Sequence, residues 1–362
     1  MKTFDSILVA TDFSATGNNA VRRAAWLARA QDARLDILHV IDSGRLYRVG
    51  KGFAPAVDLT SQSARAHAEL GRIAGEMRSA FQVTAAVILK IGDPLDMLVR
   101  TSERASLVVL GQRTGGSLRD WVLGTPAGRL LDAGSCPVLV VKQNFEGPYR
   151  RVLTGLDFTP TSDAAARVAT ALAPSADLHF MHVFHSQHYA ALLQTDTPSA
   201  ILRALREREE AGVIARMRRR IAAIGLDSRR LHLAVARGSG TPAILPREHM
   251  QGADLVAVGR RRRVRWLDAL LGSVSRRVLA RAQGDVLVVP SLPESPAVLP
   301  ASKVHRQAGL RADDPAPARR WSATTTGARA GVTNRYDHAT AEPRWSTFLH
   351  QARLAGSQDR RP

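Results

Sequence analysis

Ser6-Ile7-Leu8-Val9-Ala10-Thr11-Asp12-Phe13 is written twice in this chain. The pattern returns as Arg151-Val152-Leu153-Thr154-Gly155-Leu156-Asp157-Phe158. Each stretch is a short apolar run that ends on an aspartate, and such a run reads as a strand buried on both faces. Five more landmarks recur in the same order. Leu38-His39-Val40 returns as Met181-His182-Val183, and Gly92-Asp93-Pro94 as Gly240-Thr241-Pro242. Leu107-Val108-Val109-Leu110-Gly111 returns as Leu255-Val256-Ala257-Val258-Gly259. Gly124-Thr125 returns as Gly272-Ser273, and Pro137-Val138-Leu139-Val140-Val141 as Asp285-Val286-Leu287-Val288-Val289. The offset is 145 residues at the first aspartates and 148 from Gly92 onward. A repeat of that length is a whole domain, not a solenoid unit.

Within each copy, apolar runs alternate with stretches of helical spacing. The first copy predicts strands at 6–11, 35–40, 83–89, 106–110 and 137–141, with helices over 17–31, 60–80, 94–103 and 125–133. The second predicts strands at 151–156, 178–184, 231–236, 254–258 and 285–289. Strands alternating with helices argue for right-handed crossovers and a parallel sheet. The expected fold class is therefore α/β: two doubly wound, Rossmann-like, parallel five-stranded sheets in tandem. The domains fall at 1–145 and 146–290, followed by a tail over 291–362. That tail has only nine Leu, Ile, Val or Phe in 72 residues, too few to bury a core, and reads as disordered. Trp321, Trp345 and Phe348 are its exceptions.

Charge is the unusual bulk property. Lys and Arg number 51 against 32 Asp and Glu, a net of +19. The first copy holds 18 basic against 13 acidic residues, the second 22 against 13, and the tail 11 against 6. The second copy therefore carries the largest share. Such a balance favours anionic partners. With aromatic residues at 5%, stacking of single-stranded bases is not expected, and nucleic-acid binding would be weak and nonspecific. One cysteine, Cys136, excludes an internal disulfide and a cysteine-built zinc site, and reads as a buried, inert thiol. There is no apolar run long enough for a membrane span, and the opening residues do not read as a secretory signal. The expectation is a cytoplasmic protein.

In open parallel sheets, ligands bind outside the carboxyl ends of the strands. Asp12 and Asp157 stand there. Each reads two ways, as an acceptor for a ribose or base edge, or as a cap for the helix that follows. Gly111 follows the fourth strand, and Gly124-Thr125 comes thirteen residues later. Gly259 and Gly272-Ser273 repeat the spacing. A glycine at a strand end admits close approach to backbone, and free N–H groups at a helix start suit an anion. Structural glycines would be copied by duplication just as well.

These features in combination and order resemble the universal stress protein family, as a tandem member, over about residues 1–290. The resemblance implies the adenine nucleotide alpha hydrolase-like fold and, in nucleotide-binding members, a site for ATP with magnesium. Carried over by position, Asp12, Val40, Gly111, Gly124 and Thr125 match in copy one. Asp157, Val183, Gly259, Gly272, Ser273 and Ser275 match in copy two, with Val274 between them. The family's second loop glycine is replaced by Thr114 in copy one and by Arg262 in copy two. A side chain there crowds the path to a triphosphate, although the Arg262 guanidinium is also able to hold phosphate bidentately. The resemblance also implies an intramolecular pseudo-dimer in which Pro137–Val141 meets Asp285–Val289. A homodimer stays open.

No catalytic constellation is present: no P-loop, no G-x-G-x-x-G after a strand and no nucleophile elbow. His179, His182, His185 and His188 recur every third residue, but on a strand such steps alternate faces, so packing is the favoured reading over a metal site. The arginines near 216–220, with Arg260–Arg265, form a candidate basic patch. The leading functional expectation is a stress-response protein that binds adenine nucleotide and acts through partners. The alternative is a scaffold without nucleotide, recruiting acidic partners or nucleic acid through its basic surface and tail.

Overall fold

The computed structural model describes residues 4–42, 59–112, 130, 136–226, 230–238, 240–260 and 273–290. The first half runs β1 (Ser6–Ala10), α1 (Ala15–Gln31), β2 (Arg34–Asp42), α2 (Leu59–Phe81), β3 (Ala85–Gly92), α3 (Pro94–Ser102), β4 (Leu107–Gly111) and β5 (Val138–Val141). The second runs β6 (Arg151–Gly155), α4 (Pro160–Leu172), β7 (Asp177–Phe184), α5 (Gln187–Leu192), α6 (Ser199–Ala223), β8 (Leu231–Arg237), α7 (Gly240–Gln251), β9 (Leu255–Arg260), α8 (Ser273–Arg281) and β10 (Asp285–Pro290).

All ten strands form one sheet in the order β3-β2-β1-β4-β5-β10-β9-β6-β7-β8. Each half is doubly wound, with the same internal order. Pairings within a half are parallel, and β5 and β10 join the halves antiparallel, Leu287 opposite Leu139. The two expected five-stranded sheets are thus one continuous sheet, joined through the two strands that the resemblance brings together.

Burial explains why the apolar runs are unbroken where they are. Ile7, Leu8 and Val9 are adjacent, so they point to opposite faces, yet all three are buried. Both faces of the sheet are therefore covered at β1, and the same holds at Val138–Val141 and Val286–Val289. The outermost strands, β3 and β8, are half-buried and carry polar residues such as Lys90 and His232. Small residues on α1 (Ala20, Ala24, Ala25, Ala28) and α4 (Ala164, Ala165, Ala166, Ala169) are buried, which lets these helices lie close to the sheet.

Helix starts follow local chemistry. Ser14 caps α1 by accepting the Gly17 N–H at 3.1 Å. Asp93 caps α3 by accepting N–H groups of Leu95 (2.9 Å) and Asp96 (3.0 Å), with Pro94 in the first turn. Strand entry is also repeated by analogy. The Ser106 hydroxyl accepts the N–H groups of Asp5 and Ser6, both at 3.2 Å. In the second half, the Asp254 carboxylate accepts those of Arg150 (2.6 Å) and Arg151 (3.0 Å).

Differences from expectation are small. β3 starts at Ala85 rather than 83, and α5 is an additional short helix. The expected helix at 125–133, apart from Leu130, and the tail over 291–362 lie outside the described residues. No described helix is long and apolar enough to cross a membrane.

Candidate functional site

In each half the strand order reverses at the first strand: β1 lies between β2 and β4, and β6 between β7 and β9. The crevice at their carboxyl ends is where an open parallel sheet takes a ligand. Asp12 and Asp157 follow β1 and β6 at that end of the sheet and are exposed.

The turn after β1 is held from three sides. Thr11 N–H donates to the Leu38 carbonyl at 3.0 Å. His39 Nδ1 lies 2.8 Å from the Thr11 carbonyl. A carbonyl only accepts, so Nδ1 carries the proton. Phe13 turns into the left-handed region (φ 65°) and stacks on the His39 ring at 4.0 Å. The Thr11 hydroxyl accepts the Phe13 N–H at 3.0 Å and donates to Asn18 Oδ1 at 3.0 Å. Asp12 Oδ1 accepts both the N–H (3.1 Å) and the hydroxyl (2.5 Å) of Ser14. An Asp whose carboxylate binds two residues ahead is an Asx-turn.

The turn after β6 is built the same way. Leu156 N–H donates to Met181 at 2.8 Å, and His182 Nδ1 reaches the Leu156 carbonyl at 2.6 Å. Phe158 (φ 61°) lies tilted against His182 at 4.4 Å. Asp157 Oδ1 accepts the N–H (3.1 Å) and the hydroxyl of Thr159. The second half adds cations from α6. The Arg216 guanidinium lies over the Phe158 ring at 4.2 Å. Arg220 grips Asp163 with two nitrogens, at 2.5 and 3.1 Å. Part of the basic run near 216–220 is therefore committed to this end of the sheet.

The strand-end glycines have a packing reason. A Cβ on Gly111 would lie 2.5 Å from the Thr16 carbonyl oxygen, and one on Gly259 would lie 2.7 Å from that of Thr161. The backbone at the start of α1 and of α4 occupies the space a side chain would need. Gly17 is constrained too, since its Cβ would lie 2.8 Å from Asp12 Oδ1.

Val40 and Val183 are half-buried, on β2 opposite Lys90 and on β7 opposite Ala236. Ser275 is buried, and its hydroxyl donates to the Gly259 carbonyl at 3.2 Å, tying the first turn of α8 to the end of β9. Val274 packs half-buried against the core. Ser273 opens α8. Thr114, Gly124, Thr125, Arg262 and Gly272, and the Ser273 side chain, lie outside the described residues.

The histidine series divides as strand geometry requires. His182 serves the turn, while His179 stacks on His232 of β8 at 4.6 Å. Burial, reinforced by the neighbouring His232, pushes the His179 imidazole below its ordinary range. Among the described residues, no group of three or more His, Cys, Asp and Glu is placed to hold a metal. Cys136 is buried.

The clasp made by His39 and His182 was not read from the sequence, although the two histidines stand in matched places of the repeat. Nor was the Asx-turn. The available signal was the hydroxyl two residues after each aspartate, in Asp12-Phe13-Ser14 and Asp157-Phe158-Thr159.

Comparison with known proteins agrees with this architecture. The model of the universal stress protein family matches residues 3–142 and again 148–290. A universal stress protein of Mycolicibacterium smegmatis is 30% identical over 295 residues, covering 78% of this chain and 96% of the relative. One from Mycobacterium tuberculosis is 27% identical over 317 residues, covering 81% and 96%. Among solved structures, a universal stress protein from Archaeoglobus fulgidus superimposes with a TM-score of 0.57 at 21% identity, covering 80% of this chain and 99% of its own.

Proposed function

Because the chain belongs to the universal stress protein family, we propose that it is a cytoplasmic stress-response protein that binds ATP or another adenine nucleotide in one or both halves and acts through partner interactions. One observation carries the reading furthest. Asp157 follows β6, α8 starts just beyond β9, and β6 and β9 are adjacent parallel strands. A sugar-binding carboxylate and a phosphate-binding helix start would then lie side by side at one end of the sheet. Asp12 and β4 stand in the same relation in the first half.

The roles follow from the chemistry of each group. The Asp12 or Asp157 carboxylate accepts from ribose hydroxyls, sharing itself with its own turn. The backbone at Val40 or Val183 reads the adenine edge. The Gly124-Thr125 or Gly272-Ser273 helix start presents N–H groups to phosphate. Gly111 and Gly259 serve by bringing helix and strand backbones together. By the resemblance, Thr114 and Arg262 take the position of the family's second loop glycine, where a side chain would bear on the path to phosphate. Magnesium would arrive with the nucleotide and be held chiefly by phosphate oxygens.

Calorimetry with ATP and magnesium on the full chain tests this. Asp12→Asn and Asp157→Asn keep the shape of each turn and remove the charge. Each is expected to weaken binding in its own half by about tenfold, the worth of one charge-assisted hydrogen bond. Unchanged affinity in both variants and in the double variant would sink the assignment.

A second reading is favoured by Gly111 and Gly259, because packing alone accounts for both. In it the chain is a scaffold without nucleotide that recruits acidic partners through its basic surface. It predicts no saturable ATP uptake at millimolar concentration. Nonspecific nucleic-acid binding, if that is the recruited partner, would fall steeply with salt.

A further inference from the structure

One fully buried carboxylate sits where the halves meet. Asp285 opens β10 with no exposed surface. Its Oδ1 accepts the N–H groups of Lys142 (2.8 Å) and Gln143 (3.0 Å), which leave β5. Its Oδ2 accepts the Tyr149 hydroxyl at 2.6 Å and lies 3.5 Å from Arg23 Nε. Arg23 is itself buried, lies over the rings of Tyr149 (4.1 Å) and Phe145 (4.9 Å), and donates to the Gly147 carbonyl at 2.5 Å. The Lys142 amine crosses the seam in return, donating to the carbonyls of Leu279 (2.6 Å) and Ala282 (2.7 Å) at the end of α8.

The repeat does not supply this set twice. At the 148-residue offset, Asp285 corresponds to Pro137 and Lys142 to Pro290. At the 145-residue offset of the first strand and helix, Arg23 corresponds to Val168 and Tyr149 to Phe4, which has no hydroxyl. The seam is therefore two-fold in its backbone and one-sided in its chemistry.

That asymmetry bears on a choice. Two chains could exchange their two unlike seams for one β5–β5 and one β10–β10 seam and leave neither β5 nor β10 unpaired. Tethering alone opposes this only up to the effective concentration the linker sets. In a β10–β10 seam, Pro290, which has no N–H, would stand in the place of Lys142, and Val168 in the place of Arg23. Two buried carboxylates would each keep the Tyr149 hydroxyl of their own half and lose the Lys142 N–H and the Arg23 guanidinium. In a β5–β5 seam, Arg23 would be buried against Pro137 with neither the Asp285 carboxylate nor the Tyr149 ring beside it. A buried charge stripped of its partner is strongly unfavourable, so both like seams are penalised.

We infer that Asp285, Arg23, Tyr149 and Lys142 form a specificity lock: they fit the edge of the second half to the edge of the first, and exclude a second copy of the same half from that seam. A buried ionic cluster contributes little net stability over a well-packed apolar one, so its worth here lies in selecting the partner.

The test uses the full chain with a single reporter thiol, Cys136→Ser with Leu287→Cys. Position 287 faces Leu139 in the unlike seam and would face its own copy in a β10–β10 seam, so only the like seam yields an interchain disulfide. Chains are refolded together at high concentration, oxidised, and run without reductant, with circular dichroism as the check on folding. With the lock intact, covalent dimer stays at the background of a cysteine-free control. Adding Arg23→Met, Tyr149→Phe and Asp285→Leu together, which keeps the site filled and apolar, is expected to raise dimer at least tenfold. Should that variant not fold, Asp285→Asn in the same reporter removes the charge while keeping an acceptor, and several-fold more dimer is expected. Dimer yield equal to that of the intact lock in the folded variant overturns the inference, as does abundant dimer with the lock intact.

Discussion

Asp12 and Asp157 each do local work before any ligand arrives. Each carboxylate ties the chain two residues ahead, and a histidine on the next strand holds the carbonyl just before it. The phenylalanine between adopts positive φ, a conformation that bulky residues avoid, and ring contact with the histidine compensates. The aspartates were legible from the sequence because they end apolar runs at the binding end of the sheet. Their turn geometry was not, because it depends on a left-handed phenylalanine that no local propensity announces. Gly111 and Gly259 were legible as special with two causes open, and the helix backbone that fills the space they vacate supplies a packing cause. Accordingly, Gly111→Ala and Gly259→Ala should each destabilise the protein by about 3 kcal/mol, the upper part of the range for overpacking. Urea unfolding measures this, and a loss under 1 kcal/mol in both would refute the packing role.

Among the elements, α8 links the candidate phosphate end to the seam. Its first turn is tied to β9 through Ser275 and Gly259, and its last turn receives the Lys142 amine from the other half. Burial pushes that amine down to about 8, against an ordinary value of 10.5, with Glu248 and Asp285 pulling the other way. The folded state therefore releases this proton at lower pH than the unfolded state. Between about pH 8 and the ordinary lysine range the unfolded chain binds more protons, so stability rises with pH, by roughly 3 kcal/mol in all. The neutral amine still has two N–H groups for its two carbonyls. Lys142→Met should remove this part of the rise, read as the difference between the two proteins' urea midpoints at pH 7.5 and pH 10. Parallel pH profiles would contradict it. Strand and helix placement was largely legible because buried central strands must be continuously apolar. The edges were less so, as at β3, where half-buried residues loosen the pattern. Lys142 was invisible as a cap because its carbonyl partners lie more than 130 residues away.

For the whole molecule, the repeat and the order of its landmarks made two doubly wound halves legible without any structure. The repeat could not announce what breaks it. Asp285 stands where the first half has Pro137, which looks in sequence like one more change at a strand start. Its meaning appears only when the seam brings Arg23 and Lys142 to it, beside Tyr149 of its own half. Duplication thus supplied the architecture, and divergence at a few buried positions made the two halves complementary. The same divergence reached the candidate sites, with Thr114 on one side and Arg262 on the other. The most direct test of the account is equilibrium dialysis of the full chain against ATP and magnesium, with Gly272→Val measured in parallel. Saturable uptake of one or two nucleotides per chain is expected, and Gly272→Val should abolish the share belonging to the second half. Absence of saturable uptake at millimolar ATP would contradict it.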